Sequence, residues 1–156
     1  MEPRIVIKTE EPRVYEVMGM AEKTIKSFGL DPRLIELIKI RASQINNCGY
    51  CLDMHTRDAR KAGETEQRLF TLSAWWETDF FTETEQAAIR LTEEVTRISE
   101  NGVSDEVYQL VLKHFGTQGF AQLILVINTI NSWNRIAIST HMKLSSRSGE
   151  SNSITH

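Results

Sequence analysis

Two cysteines are all that the chain contains, and they lie three residues apart at Cys48 and Cys51. No second Cys or His pair accompanies them, which disfavours a structural zinc site, since such sites draw ligand pairs from separate knuckles. The sequence has no block of Lys and Arg, and its net charge is -3. That excludes a phosphate-tracking surface, so no nucleic-acid partner is expected. The start, "MEPRIVIKTEEPRVYEV", has no long apolar run and carries acids early. Neither a secretory signal nor a membrane span is expected, and the cytoplasm is the expected compartment. There, a close pair of cysteines is more often catalytic or metal-binding than a permanent disulfide. Period-2 alternation is missing beyond "RIVIK", which reads as a short arm. No long linker or solenoid repeat divides the 156 residues, a length that supports one domain with its own core.

What remains is helical spacing. Val14, Val17, Met18, Ala21, Ile25 and Phe28 predict a helix over about 13–28, with Gly29 as its stop. Asp31 and Pro32 fit the cap and first position of a second helix running to about Ser43. A third is expected from about Asn47 to Ala62, followed by a short helix and an aromatic-rich connector. "TETE", residues 82–85, is a capping box that opens an amphipathic helix. Ser104 caps a further helix that stops at Gly116, and Thr117 opens a last one reaching about Leu144. Its block "FAQLILVI" is too broad for one stripe, so it belongs at the bundle centre or in a subunit interface. The fold class is therefore all-α, about six or seven helices in one domain over 1–144, with a polar tail at 145–156 that a partner subunit could hold.

The chemistry concentrates in "INNCGYCLDMH", residues 45–55. On a helix starting near Asn47, Cys48, Cys51 and His55 share one face, because positions three and four apart are neighbours. Cys48 falls in the first turn, where free N–H groups favour a thiolate. His55 leans back toward Cys51. Glu36, on the preceding helix, can reach His55 across the short "QINN" connection and fix its tautomer. A dithiol, a base and a carboxylate are what thiol redox chemistry needs. Metal binding, with Glu36 as a fourth ligand, is a weaker reading, and a c-type haem attachment is excluded by the position of the His. The "CGYC" spacing is that of thioredoxin, but the strand such a fold needs before the motif is absent.

Over residues 36–55, "ELIKIRASQINNCGYCLDMH" resembles the signature of the alkylhydroperoxidase D-like proteins, within the carboxymuconolactone decarboxylase superfamily. "LSAWWET", "TETEQAAIRLTEEVT" and "INSWNRIA" extend the likeness over roughly Val14 to Ala137. The resemblance implies an all-helical homo-oligomer, a trimer or hexamer, with peroxidase or disulfide-reductase activity and no cofactor. It implies that Cys51 attacks the hydroperoxide and becomes a sulfenic acid, that Cys48 resolves it and donates a proton, and that Glu36 and His55 form the proton relay. An external dithiol, of lipoyl type in the better-described members, would supply electrons. Those members carry a second His where this chain has Tyr50. The dipole alone would favour Cys48 as the acidic thiol; His55 and the resemblance favour Cys51. A general disulfide oxidoreductase, a redox sensor without turnover and a decarboxylase-like lactone enzyme are the alternatives.

Other residues have plainer readings. Trp133 and Arg135 suggest packing and an internal ion pair, with a pocket wall as the functional alternative. Trp75, Trp76, Phe80 and Phe81 form an apolar cluster for core or interface. Asn128 and Asn131 need hydrogen-bond partners if buried. His114 and His141 sit near helix C-termini and are assigned no catalytic role.

Overall fold

A computed structural model describes residues 2–144. The tail at 145–156 and the expectation attached to it lie outside the described residues. Eight α-helices follow one another: α1 (Ile7–Glu10), α2 (Pro12–Ser27), α3 (Pro32–Ile45), α4 (Gly49–Lys61), α5 (Glu66–Thr71), α6 (Glu83–Thr96), α7 (Ile98–Asn101) and α8 (Asp105–Thr140). A 3-10 turn, Leu72–Glu77, follows α5. No strand occurs among the described residues.

Local chemistry sets most boundaries. Asp31 accepts from the Arg33 backbone N–H and Pro32 opens α3. Thr82 and Glu85 form the reciprocal capping box of α6, and Ser104 caps α8 through the Val107 N–H. One expectation needs correction. "RIVIK" is no extended arm: its second half winds into α1, and the Arg4 N–H bonds to the carbonyl of Thr140 at the end of α8. The stop expected at Gly116 is present: α8 is broken there, at φ 67 and ψ -176, into the two helical stretches that the sequence predicts on either side. Only glycine tolerates that conformation without strain.

The core centres on α3, α6 and α8. Ile38, Ala87, Ala88, Leu91, Val111, Leu123, Val126 and Ile127 are fully buried in one cluster. The apolar block of α8 thus lies at the bundle centre on this face, while Ile124 and Leu125 are half-buried at its side. By length and composition alone α8 could cross a membrane. A second cluster joins Leu37, Ile40, Ala59, Leu72 and Ile89 to Trp75 and Phe81, whereas Trp76 is exposed. α3 packs along α4, α6 and α8 at once. Charged residues on it are accordingly buried with partners: Arg41 bonds Glu93 at 2.7 Å and Lys39 bonds Glu22 at 2.7 Å. Because α3 is held on three sides, the residues it presents to α4 are fixed in place.

Candidate dithiol active site

The chain reverses between α3 and α4 at Asn46 and Asn47. Asn47 takes φ 55, a left-handed conformation that asparagine tolerates better than most residues. This places Cys48 at the N-cap of α4, one position outside the helix, and not in the first turn as the sequence suggested. Its sulfur makes no close capping bond, but the backbone N–H groups of Cys51 and Tyr50 are near enough to favour its thiolate. Cys51 follows one turn later. Both are free thiols, almost completely buried, with sulfurs 2.6 Å apart. Bonded sulfurs stand about 2.05 Å apart, so closing a disulfide needs a shift of only about half an ångström.

The pair shares charge unequally. The hydrogen bond from Cys51 is the largest influence on Cys48 and brings it down from 9.0 to about 7, against the opposing effect of burial. The same hydrogen bond, together with burial, pushes Cys51 up. The first proton lost from the pair therefore leaves Cys48, in line with the helix-terminus argument.

His55 lies one turn beyond Cys51 on α4 and is buried. Its Nδ1 is 2.8 Å from Oε2 of Glu36, which α3 presents from the neighbouring helix. The carboxylate can only accept, so Nδ1 carries a hydrogen, and in the neutral ring Nε2 keeps its lone pair. That Nε2 is buried and has no hydrogen-bond partner. The structure thus brings Glu36 and His55 together, and Cys48 and Cys51 together, along one side of α4. No cluster of three or more His, Cys, Asp or Glu suited to a metal ion occurs among the described residues.

Each sulfur has its own opening. Cys48 lines a cavity of about 520 Å³ together with Asn47, Tyr50, Ile138, His141 and Lys143. Cys51 lines a smaller, almost wholly apolar pocket of about 170 Å³ with Tyr15, Tyr50, Met54, Trp133 and Met142. Tyr50, Ala137 and Met142 border both. Trp133 is a wall of this pocket; Tyr15 meets it edge-on at 5.2 Å and Glu22 accepts its indole N–H at 3.2 Å.

This combination of helical scaffold, paired thiols and carboxylate-bound imidazole has known counterparts. The sequence pattern of the carboxymuconolactone decarboxylase family matches residues 14–94, more than half of the chain.

The chain belongs to the carboxymuconolactone decarboxylase family. Within that superfamily it is an alkylhydroperoxidase D-like protein. It is 44% identical, over 147 residues, to an uncharacterised protein of Bacillus subtilis (strain 168), YdfG, covering 94% of this chain and all of that one. A crystal structure from Agrobacterium tumefaciens superposes with a TM-score of 0.90 at 34% identity, over 94% of this chain and 100% of that one. That protein has no known function and is described as a candidate antioxidant defence protein, AhpD. A peroxidase-related protein from Silicibacter sp. TM1040 shares the fold, with a TM-score of 0.73 at 20% identity, over 82% of this chain and 68% of that one.

Some residues have other places than the sequence suggested. Asn128 is exposed, so it needs no buried partner. Arg135 makes no ion pair among those of the described residues; its guanidinium donates to the carbonyl and Oδ1 of Asn131. Asn134, unmarked in the sequence beyond being an amide on an apolar helix, is fully buried on the helix face that packs against the thiols.

Proposed function

We propose that the protein is an antioxidant enzyme, a thiol-dependent peroxidase that reduces hydroperoxides with the Cys48–Cys51 pair. The observation that carries this reading is the unpartnered Nε2 of His55, buried one turn from a free dithiol and oriented by Glu36. A buried acceptor without a donor is costly to keep unless chemistry uses it.

In this reading Cys51 is the attacking thiol, because it faces the apolar pocket that suits the organic part of a hydroperoxide. Its proton passes to His55 or to the Cys48 thiolate, and its sulfur attacks the O–O bond. One oxygen stays on Cys51 as a sulfenic acid, and the other leaves as an alcohol after taking up the proton. The Cys48 thiolate, ionised near neutral pH, then attacks the Cys51 sulfur. The sulfenic oxygen takes up a proton, relayed from solvent or from His55, and leaves as water as the disulfide forms. An external dithiol, of lipoyl type by family likeness, reduces that disulfide and is itself oxidised. The wider cavity at Cys48 offers such a donor its approach. Self-association into a trimer or hexamer belongs to the same proposal; Val17, Met20, Phe70 and Trp76 are exposed apolar side chains that an interface would cover. So does a soluble protein of the cytoplasm.

The deciding experiment is a peroxide pulse on the reduced wild type and on Cys48→Ser and Cys51→Ser, with mass spectrometry and a dithiol-coupled turnover assay. Sulfenic acid trapped on Cys51 in Cys48→Ser, and no turnover in either variant, is expected. Sulfenic acid on Cys48 at the wild-type rate in Cys51→Ser would reverse the two roles. Disulfide exchange without peroxide consumption would make the protein a general oxidoreductase.

A further inference from the structure

The cysteines pack in a small buried cluster with Ala42, Ile130 and Ala137. Ile130 and Ala137 stand four before and three after Asn134 on α8, so the Asn134 side chain shares the face that covers the sulfurs. It is a fully buried amide in a largely apolar setting, and every hydrogen it carries needs an acceptor.

The neighbouring bonds fix which way that amide points. Ser43 spends its one hydroxyl hydrogen on the Lys39 carbonyl at 2.7 Å, so its oxygen can only accept. It accepts from Nδ2 of Asn134 at 3.0 Å. On the other side, Nδ2 of Asn46 donates to Oδ1 of Asn134 at 2.9 Å, and at 2.9 Å to Oδ1 of Asn131. Asn131 is itself held by Thr96 at 3.0 Å. With both ends of the amide assigned, one hydrogen of Nδ2 is left over. The two sulfurs pack against that face of α8, and the Asn134 side chain lowers the pKa of both thiols, as a nearby donor does.

We propose that Asn134 is a thiolate-stabilising residue: its second Nδ2 hydrogen is donated to the dithiol, and Ser43 and Asn46 hold the amide in the only orientation that allows it. A donor to sulfur favours the ionised form, because the bond to a thiolate is stronger than that to a thiol or a disulfide. The amide therefore favours the reduced, ionised pair over the oxidised one. It works from α8, while the base, His55, works from α4. The proposal rests on the dithiol reading of the site, but not on any peroxide being consumed.

The other titratable groups around the pair are His55 and Tyr50 on α4, Glu36 on α3, Tyr15 on α2, and His141 and Lys143 just beyond α8. None needs alteration in the test. The rate of Cys48 alkylation by iodoacetamide is followed against pH in the reduced protein, for wild type, Asn134→Asp, Asn134→Leu and Thr96→Val. Asn134→Asp keeps the acceptor for Asn46, loses the donor and adds a negative charge. Both Asn134 variants are expected to move the alkylation midpoint upward by about one pH unit or more. Thr96→Val disturbs the same buried network through Asn131 and should leave the midpoint in place. A wild-type midpoint in a folded Asn134→Leu would overturn the proposal. Should the Asn134 variants fail to fold, the native protein gives the answer: with 15N labelling, the Asn134 side-chain amide protons must shift with the same midpoint as the Cys48 thiol. Amide signals that stay constant through that titration would also overturn it. Neither readout needs turnover, so a protein that consumes no peroxide could still pass, and an active peroxidase could still fail.

Discussion

Nδ1 of His55 lies 2.8 Å from Oε2 of Glu36, and the two residues come from different helices. The contact is therefore a product of α3 packing on α4. Glu36→Gln keeps an oxygen for Nδ1–H and removes only the charge. Peroxide turnover is expected to fall by about tenfold to a hundredfold, toward the low end of what a positioned proton relay contributes. The thermal midpoint should barely move. Glu36→Ala goes further and leaves a buried ring nitrogen unpaired, which costs about 1–3 kcal/mol. Steady-state turnover and a calorimetric scan on the two variants separate the effects. Wild-type turnover in Glu36→Gln would remove the carboxylate from the relay.

Folding makes Cys48 more acidic. Its value falls from 9.0 to about 7 on folding, with the hydrogen bond from Cys51 as the main cause. A depressed acid contributes stability that is fully present above its unfolded value and is lost as pH falls through its folded value. The reduced protein should thus lose thermal stability between about pH 9 and pH 6 in part through this group. Its rate of reaction with iodoacetamide should rise with a midpoint near 7. Cys51→Ala removes the donor, and the midpoint should climb back toward that of an ordinary thiol. A midpoint unchanged in Cys51→Ala would show that the helix start and Asn134, and not Cys51, set the acidity.

The helices, and Cys48, Cys51 and His55 as neighbours along one helix, were legible because each depends on short-range spacing; Glu36 followed from the short connection that folds α3 back on α4. Caps such as Asp31, Thr82 and Ser104 act within one turn, so a linear pattern reveals them. The start of α4 was missed by two residues because the left-handed Asn47 leaves no mark in hydrophobic periodicity. Asn134 and Glu22 were not singled out for a different reason. Asn134 meets Ser43 across 91 positions and Trp133 meets Glu22 across 111, and no local rule reports which polar residues on an apolar helix will face a sulfur or an indole.

Gly116 offers a test of backbone alone. At φ 67 and ψ -176 it sits where side-chain-bearing residues are strained, yet an added Cβ would have nothing within 4 Å. Gly116→Ala should cost about 1–3 kcal/mol with no steric component. In a chain of this size that lowers the thermal midpoint by roughly 2–4 °C per kcal/mol. Gly19 also has nothing within 4 Å of an added Cβ, but its backbone, in the interior of α2, has no positive φ. Gly19→Ala should instead stabilise, by up to about 1 kcal/mol. Paired thermal scans decide it; equal shifts of one sign would contradict the strain argument.

Glu22 supports both the fold and the wall of the Cys51 pocket. One carboxylate oxygen bonds Lys39, whose side chain is only 6% exposed, and the other accepts the Trp133 indole N–H. Glu22→Ala leaves the ammonium buried without its partner. The cost should be about 2–3 kcal/mol, less than for a fully enclosed pair because Glu22 keeps 24% of its side-chain exposure. Replacing both residues, Lys39→Met with Glu22→Leu, removes the buried charges together and should recover most of that loss. Trp133 would still lack its acceptor in the double variant, so the pocket beside Cys51 should stay perturbed. Denaturant unfolding is therefore expected to return near the wild-type value, while KM for a bulky hydroperoxide stays raised. If stability and KM recover together, the indole bond to Glu22 has no part in shaping the pocket.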